Sequence, residues 1–282
     1  MTVPAGLRTT RVLTDTHCHL DFEKFEPDRA EVLARARQAG VGRILIPGLN
    51  LASSRAAIRL AESQPMLFAA VGVHPTEAGD LPAGWLDDLR ALAGHARVKA
   101  IGEIGLDYYW ENVPAENQKR ALKQQLDLAG QLRLPVVLHF RDKGDAVDGA
   151  CAQDLLALLE TWLTPLRQAE SQAWESPGVL HAFAGSLALA QRAIGLGFYI
   201  GVGGRVTRSK RTRLLVSQLP LASLVLETDA PFQTPTPPGA GRNEPANIGL
   251  IADTIASLHS CGLEEVAART TENARNLFRW EE

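Results

Sequence analysis

Cysteine is scarce in this chain: Cys18, Cys151 and Cys261 are the three in 282 residues, odd in number and far apart. That usage argues against a disulfide framework and suits a reducing cytosol, so a cytoplasmic location is expected. Charge of one sign is also missing. Lysine and arginine total 29 against 32 acidic residues, a formal net charge of −3. Binding a polyanion through bulk positive charge is thereby excluded, and any such binding needs a local patch or bound metal. Nor are there long apolar runs. No stretch reaches the roughly 18 apolar residues of a membrane span. The opening MTVPAGLRTTRVL lacks the apolar segment of a signal peptide. No membrane contact is expected, residues 1–10 read as a frayed tail, and no obligate protein partner is evident. Internal repeats, low-complexity tracts and linkers are absent. So are G-x-S-x-G and P-loop motifs, which leaves no sign of a serine nucleophile or of nucleoside triphosphate chemistry.

What the chain does have is alternation. Eight short apolar runs, VLTDTHC, RILIPGL, LFAAVGV, VKAIGEIG, LPVVLHF, GVLHAFAG, FYIGVGG and LVLETDA, are separated by segments of helical period. Most are apolar on both faces, as buried parallel strands should be. Strand–helix alternation repeated eight times at this length predicts an α/β fold, a (β/α)8 TIM barrel in a single domain over residues 11–282. An open doubly wound sheet is the alternative, because alternation alone does not demonstrate closure. The segment from Lys143 to Gly178 is longer than the other connections and reads as a surface excursion, with no clear period from Ala169 to Pro177.

In such a barrel, reactive side chains gather where the strands end at their C-terminal edge. His17 and His19 end the first run, His74 follows the third and Glu103 lies in the fourth. His139 ends the fifth, His181 lies in the sixth and Asp229 ends the eighth. Five of the seven histidines thus fall at strand ends, with His95 and His259 left to helical segments. Strand period 2 places His17 and His19 on one face with Cys18 on the other. Imidazole and carboxylate are the donors preferred by zinc- or manganese-like ions. Four histidines with Glu103 and Asp229 exceed what one tetrahedral ion needs. Two divalent ions bridged by a carboxylate fit better, with Glu103 as the bridge. Taken singly, each feature has a plainer reading. A lone H-x-H is often just polar, and Asp229 before Ala-Pro can cap the next segment. The pattern across five strand ends is what indicates metal.

The ordered motifs THCHLD, GVHP, GEIGLDYY, HFRD, HAFAGS and LETDAP, then GRNEPAN, resemble those of the TatD-type metal-dependent deoxyribonucleases, within the amidohydrolase-like superfamily. The resemblance runs from about Asp15 to Leu277. It implies a metal-dependent hydrolase of phosphodiester bonds, acting on DNA and in some members RNA from the 3′ end, with magnesium, manganese or zinc. By that resemblance, His17, His19, Glu103 and Asp229 hold one ion, and Glu103, His139 and His181 the other. His74 contacts substrate or supports the site. Glu103 and Asp229 carry the catalysis, with Asp229 orienting a water and accepting its proton. Ala182 stands where the family often has cysteine and is expected to face away from the metals.

A phosphate substrate needs cationic partners. Arg141, two residues past His139, and Arg205 are the first candidates, with Arg208, Lys210, Arg211 and Arg213 behind them and Arg242 after the eighth run. Tyr108, Tyr109 and Trp110 are candidates for stacking on bases, with rim packing as the plainer reading. Two rival functions remain. One is a small-molecule hydrolase cutting an amide, lactone or phosphoester in a closed pocket. The other is a binding protein on a dead barrel, which predicts a broken ligand set where every position here is filled.

Overall fold

The computed structural model describes residues 12–169, 174–236 and 241–280. The tail expected at residues 1–10 and part of the aperiodic stretch after Ala169 lie outside them.

Eight parallel strands form one sheet in sequence order: β1 (Leu13–Asp15), β2 (Val41–Pro47), β3 (Leu67–Val71), β4 (Val98–Asp107), β5 (Val136–Arg141), β6 (Gly178–Leu180), β7 (Tyr199–Val202) and β8 (Leu224–Leu226). Helices alternate with them: α1 (Arg29–Gln38), α2 (Leu51–Ser63), α3 (Trp85–Ala93), α4 (Ala115–Leu132), α5 (Ala150–Ala169), α6 (Leu187–Gly195) and α7 (Lys210–Val216). Two more follow β8, α8 (Ile248–His259) and α9 (Leu263–Phe278). Each of the eight apolar runs overlaps a strand. Most of the long connection after β5 is α5, so the expected excursion is largely a barrel helix.

The ends of the sheet meet, and the open-sheet alternative falls. Thr16 N donates to Leu226 O at 2.9 Å, Asp229 N to His17 O at 2.8 Å and His19 N to Ala230 O at 2.8 Å. Cys18 and Ala230 form a parallel bridge. Buried Asp15 clamps the same seam, accepting from Thr228 Oγ1 at 2.6 Å and Thr228 N at 2.9 Å. Desolvation pushes its carboxyl up to about 7 against those hydrogen bonds.

The apolar residues divide between two cores. Leu45, Phe68, Ala70, Ala100, Val137 and Val225 fill the barrel, with Phe278 and Trp280 packed against them. Alternate strand residues such as Ile44, Ile46, Leu67 and Ile104 belong to the cluster shared with the helices. Burying each such aliphatic side chain contributes roughly 1.5–3 kcal/mol. Helix α9 shows the periodicity that drives this, burying Val266, Ala267, Thr270, Ala274 and Leu277 at spacings of three and four. It packs against β1 and β8. Where the backbone must approach closely, glycine is required. Gly105 has φ +145°, and a Cβ there would lie 1.9 Å from His139 O.

Candidate metal centre and substrate cavity

Strands β1, β6 and β8 span only three residues each. His17, His19, His181 and Asp229 therefore lie just past the strand ends, on the segments that continue toward the barrel mouth. His74 likewise follows β3 and caps a short 3-10 turn, accepting from Thr76 N through Nδ1 at 3.3 Å. Glu103 and His139 lie within β4 and β5.

These side chains converge on Glu103, which is 3 % exposed. Its Oε2 lies 3.3 Å from His17 Nε2. Its Oε1 faces the other way, 3.1 Å from His139 Nδ1, 3.3 Å from His181 Nε2 and 3.7 Å from His74 Nε2. On the Oε2 side, Asp229 Oδ1 stands 3.5 Å from His19 Nε2 and 3.9 Å from His17 Nε2, and the two Nε2 atoms are 3.2 Å apart. The His17 ring stacks on His181, with centroids 3.6 Å apart. One carboxylate thus divides its oxygens between two donor groups.

So many ring nitrogens and carboxylates in one buried place need protons or cations among them. Burial opposes ionisation of Glu103 but is outweighed by His181, His17 and His139, which hold its carboxyl well below the usual range. Asp229 is likewise held at about 2, burial being outweighed by the His19 hydrogen bond and the charges of His181 and His17. His74 behaves oppositely. Burial and the neighbouring His139 push it down to about 3, so it is a neutral imidazole at neutral pH. The donor chemistry, imidazole with carboxylate, fits divalent ions. His17, His19 and Asp229 form one compact set of potential ligand atoms, His74, Glu103 and His139 a second, and His17, His181 and Glu227 a third.

Two carboxylates at this site were not singled out from sequence. Asp107, at the end of β4, accepts from His139 Nε2 at 2.8 Å. It shares a strand face with Glu103 four residues earlier, which is the signal that would have found it. Glu227 is fully buried, with Oε1 3.5 Å from His181 Nδ1 and 2.6 Å from the N–H of Ala182. It lies two residues before Asp229, again on the same face. Gln233 Nε2 donates to Asp229 Oδ2 at 2.8 Å, a contact across a loop that no periodicity announces.

A cavity of about 380 Å3 opens beside this cluster, reached by His139, His181 and Asp229 and walled by Arg141, Arg205 and Arg211. Ala182 borders it with φ +48°, and its backbone N–H donates to Glu227 Oε1. Arg141 lies over the Tyr109 ring at 3.5 Å and pairs with Asp145 at 2.8 Å. Trp110 is exposed beside Tyr109. The remaining two expected substrate contacts are engaged elsewhere. Tyr108 donates to Asp154 at 2.7 Å, and Arg242 is held by both Asp28 oxygens at 2.8 Å over the Phe25 ring. No described helix is long and apolar enough to cross a membrane.

Comparison with known proteins agrees with this architecture. The chain is 36% identical over 270 residues to the uncharacterized metal-dependent hydrolase YabD of Bacillus subtilis, covering 95% of this chain and 99% of that protein. It is 36% identical over 272 residues to the 3′-5′ ssDNA/RNA exonuclease TatD of Salmonella typhimurium, covering 94% and 98%. The crystal structure of YjjV, a TatD homolog from Escherichia coli, superposes with a TM-score of 0.84 at 34% identity, covering 95% of this chain and 98% of that one. The family model described as TatD related DNase matches residues 14–279. The chain therefore belongs to the TatD-related DNase family of metal-dependent hydrolases.

Proposed function

We propose that the chain is a two-metal nuclease that removes nucleotides from the 3′ end of single-stranded DNA, and of RNA. The observation that carries the reading is the division of Glu103 between two donor groups beside an arginine-walled cavity. The 3′-5′ direction and the single-stranded substrate are those named for the Salmonella relative at 36% identity.

In this reading His17, His19, Glu103 and Asp229 hold one ion, and Glu103, His139 and His181 the other. When bound, such ions lower the pKa of water and balance charge developing on phosphoryl oxygens. Asp229 has its carboxylate ionised and fixed in rotation by Gln233, so it orients the attacking water and takes its proton. Water attacks phosphorus in line, the sugar oxygen leaves, and no covalent intermediate forms. Asp107 and Glu227 steady the rings of His139 and His181. Arg141 meets the charge of the scissile phosphate from the cavity wall and Arg205 meets substrate phosphate farther along it, while Tyr109 and Trp110 offer aromatic faces at the rim.

The test is digestion of 5′-labelled and 3′-labelled single strands with manganese supplied, beside small phosphate and carboxylate esters. A ladder shortening from the 3′ end, lost in His17→Ala, is expected. Turnover of small esters alone would assign the chain to small-molecule hydrolysis instead.

A further inference from the structure

The cavity wall carries more positive charge than one scissile phosphate requires. Apart from Asp229, its acidic residues are Asp142 and Asp145. Asp145 is taken by Arg141, with Nε–Oδ1 at 2.8 Å. Asp142 accepts from the N–H groups of Gly149 and Cys151 at 3.1 and 2.8 Å, at the start of α5. Three cations are then left without a carboxylate. Arg208 and Arg211 donate to the neutral carbonyls of Thr234 and Ala184. Arg205 is half-buried and has no hydrogen bond or ion pair among the described residues. Burial and the charges of Arg211, Arg208 and Arg141 press on its guanidinium more than the charge of Asp145 relieves it, and it stays protonated at any physiological pH. A half-buried guanidinium held among like charges, with its fork of donors unused, is a site shaped for an anion.

We infer that Arg205, Arg208 and Arg211 form a second phosphate site, taking a phosphate group next to the one being cut. The inference rests on the nuclease reading for what the cluster around Glu103 does, but the arginine site is a separate place on the wall. Each internucleotide phosphate carries one negative charge and a terminal monophosphate carries up to about two. Three guanidiniums with no carboxylate ion pair of their own among the described residues suit either source: the neighbouring diester of the backbone, or a phosphate at the 3′ terminus. In both cases the enzyme would grip its substrate by two phosphates at once, and the site would favour strands over isolated monoesters.

The experiment measures binding apart from turnover, by fluorescence anisotropy of labelled single-stranded DNA in calcium. Three strands are compared: a normal one, one with an uncharged methylphosphonate at the linkage next to the terminal linkage, and one with a 3′-terminal phosphate. The expected result is that the wild-type chain binds at least tenfold more weakly when the neighbouring diester is neutralised, or at least tenfold more tightly when the 3′ phosphate is present. The first outcome assigns the backbone diester and the second the terminal phosphate. In Arg205→Gln that difference should shrink to less than threefold, and Arg205→Lys should restore part of it. Thermal unfolding of each variant is the control for folding. An equal difference in wild type and Arg205→Gln, or no difference with either strand in wild type, overturns the second site. Cleavage of the normal strand in manganese is read separately. Its absence would sink the nuclease reading while the binding comparison still decides the arginine site.

Discussion

Glu227 Oε1 stands 3.5 Å from His181 Nδ1 while accepting the Ala182 N–H at 2.6 Å, so one fully buried carboxylate holds the backbone and faces the ring beside it. Its other oxygen has no partner, and a Cβ at Gly201 would come within 2.4 Å of that oxygen. Replacing the carboxylate should loosen His181 more than it loosens the fold. Glu227→Gln is expected to weaken metal binding by roughly 10–100-fold. Gly201→Ala should act in the same direction, because its Cβ would push Glu227 aside and press on the His181 Cα, 3.0 Å away. Metal titration followed calorimetrically checks both, and unchanged affinity in both variants would remove Glu227 from the support of the site.

Asp229 accepts from Gln233 through Oδ2 and faces His19 and His17 through Oδ1. Asp229→Asn keeps the shape and removes the proton acceptor. It should lower kcat by roughly 10²–10⁴-fold, the usual scale for losing a general base. Single-turnover cleavage at saturating manganese is the measurement. Full recovery of rate at high manganese would reduce Asp229 to a ligand and nothing more.

Metal should stabilise the folded chain, because the ligands come from β4, β5 and the segments after β1, β6 and β8, and are assembled only by folding. An ion at 100 times its Kd adds about 2.7 kcal/mol. At roughly 2–4 °C per kcal/mol for a domain near this size, the Tm should rise by about 5–10 °C, and chelation should reverse it. Protons compete for imidazole and carboxylate, so the increment should shrink as pH falls and grow as pH rises toward neutrality. Scanning calorimetry at several pH values, with manganese and with chelator, checks the sign. A Tm indifferent to manganese at neutral pH would contradict an ion at this place.

Gly105 is the most exposed to substitution of the motif glycines. With φ +145° and the His139 carbonyl where a Cβ would go, Gly105→Ala must displace β5 or distort β4. A cost of roughly 3 kcal/mol or more is expected, together with loss of activity through His139. Urea unfolding of the variant measures it. A stability within about 0.5 kcal/mol of wild type, the range of neutral surface changes, would show that the strands can part at no cost.

Much of this protein was legible before folding. Buried parallel strands must be apolar on both faces, so all eight announced themselves, and the polar residues closing those runs stood out against them. Period 2 was enough to put His17 and His19 together and to turn Cys18 into the core. It would also have found Asp107 and Glu227, each an even number of residues from a residue already singled out. Arg242 shows where that logic stops. It follows β8 as a phosphate ligand should, yet Asp28 and Phe25 hold it in place. A side chain on a loop is placed by what it meets, not by its position along the chain.

The sequence by itself determined the strand–helix alternation, the donor types and their family motifs, because burial and side-chain chemistry are local properties written residue by residue. The tertiary structure alone decided three things: closure of the sheet between β1 and β8, the direction in which each Glu103 oxygen points, and which arginines keep their charge uncompensated. All three depend on distances between residues far apart in the chain, and hydrogen bonds and ion pairs are made or lost within an ångström or so of separation.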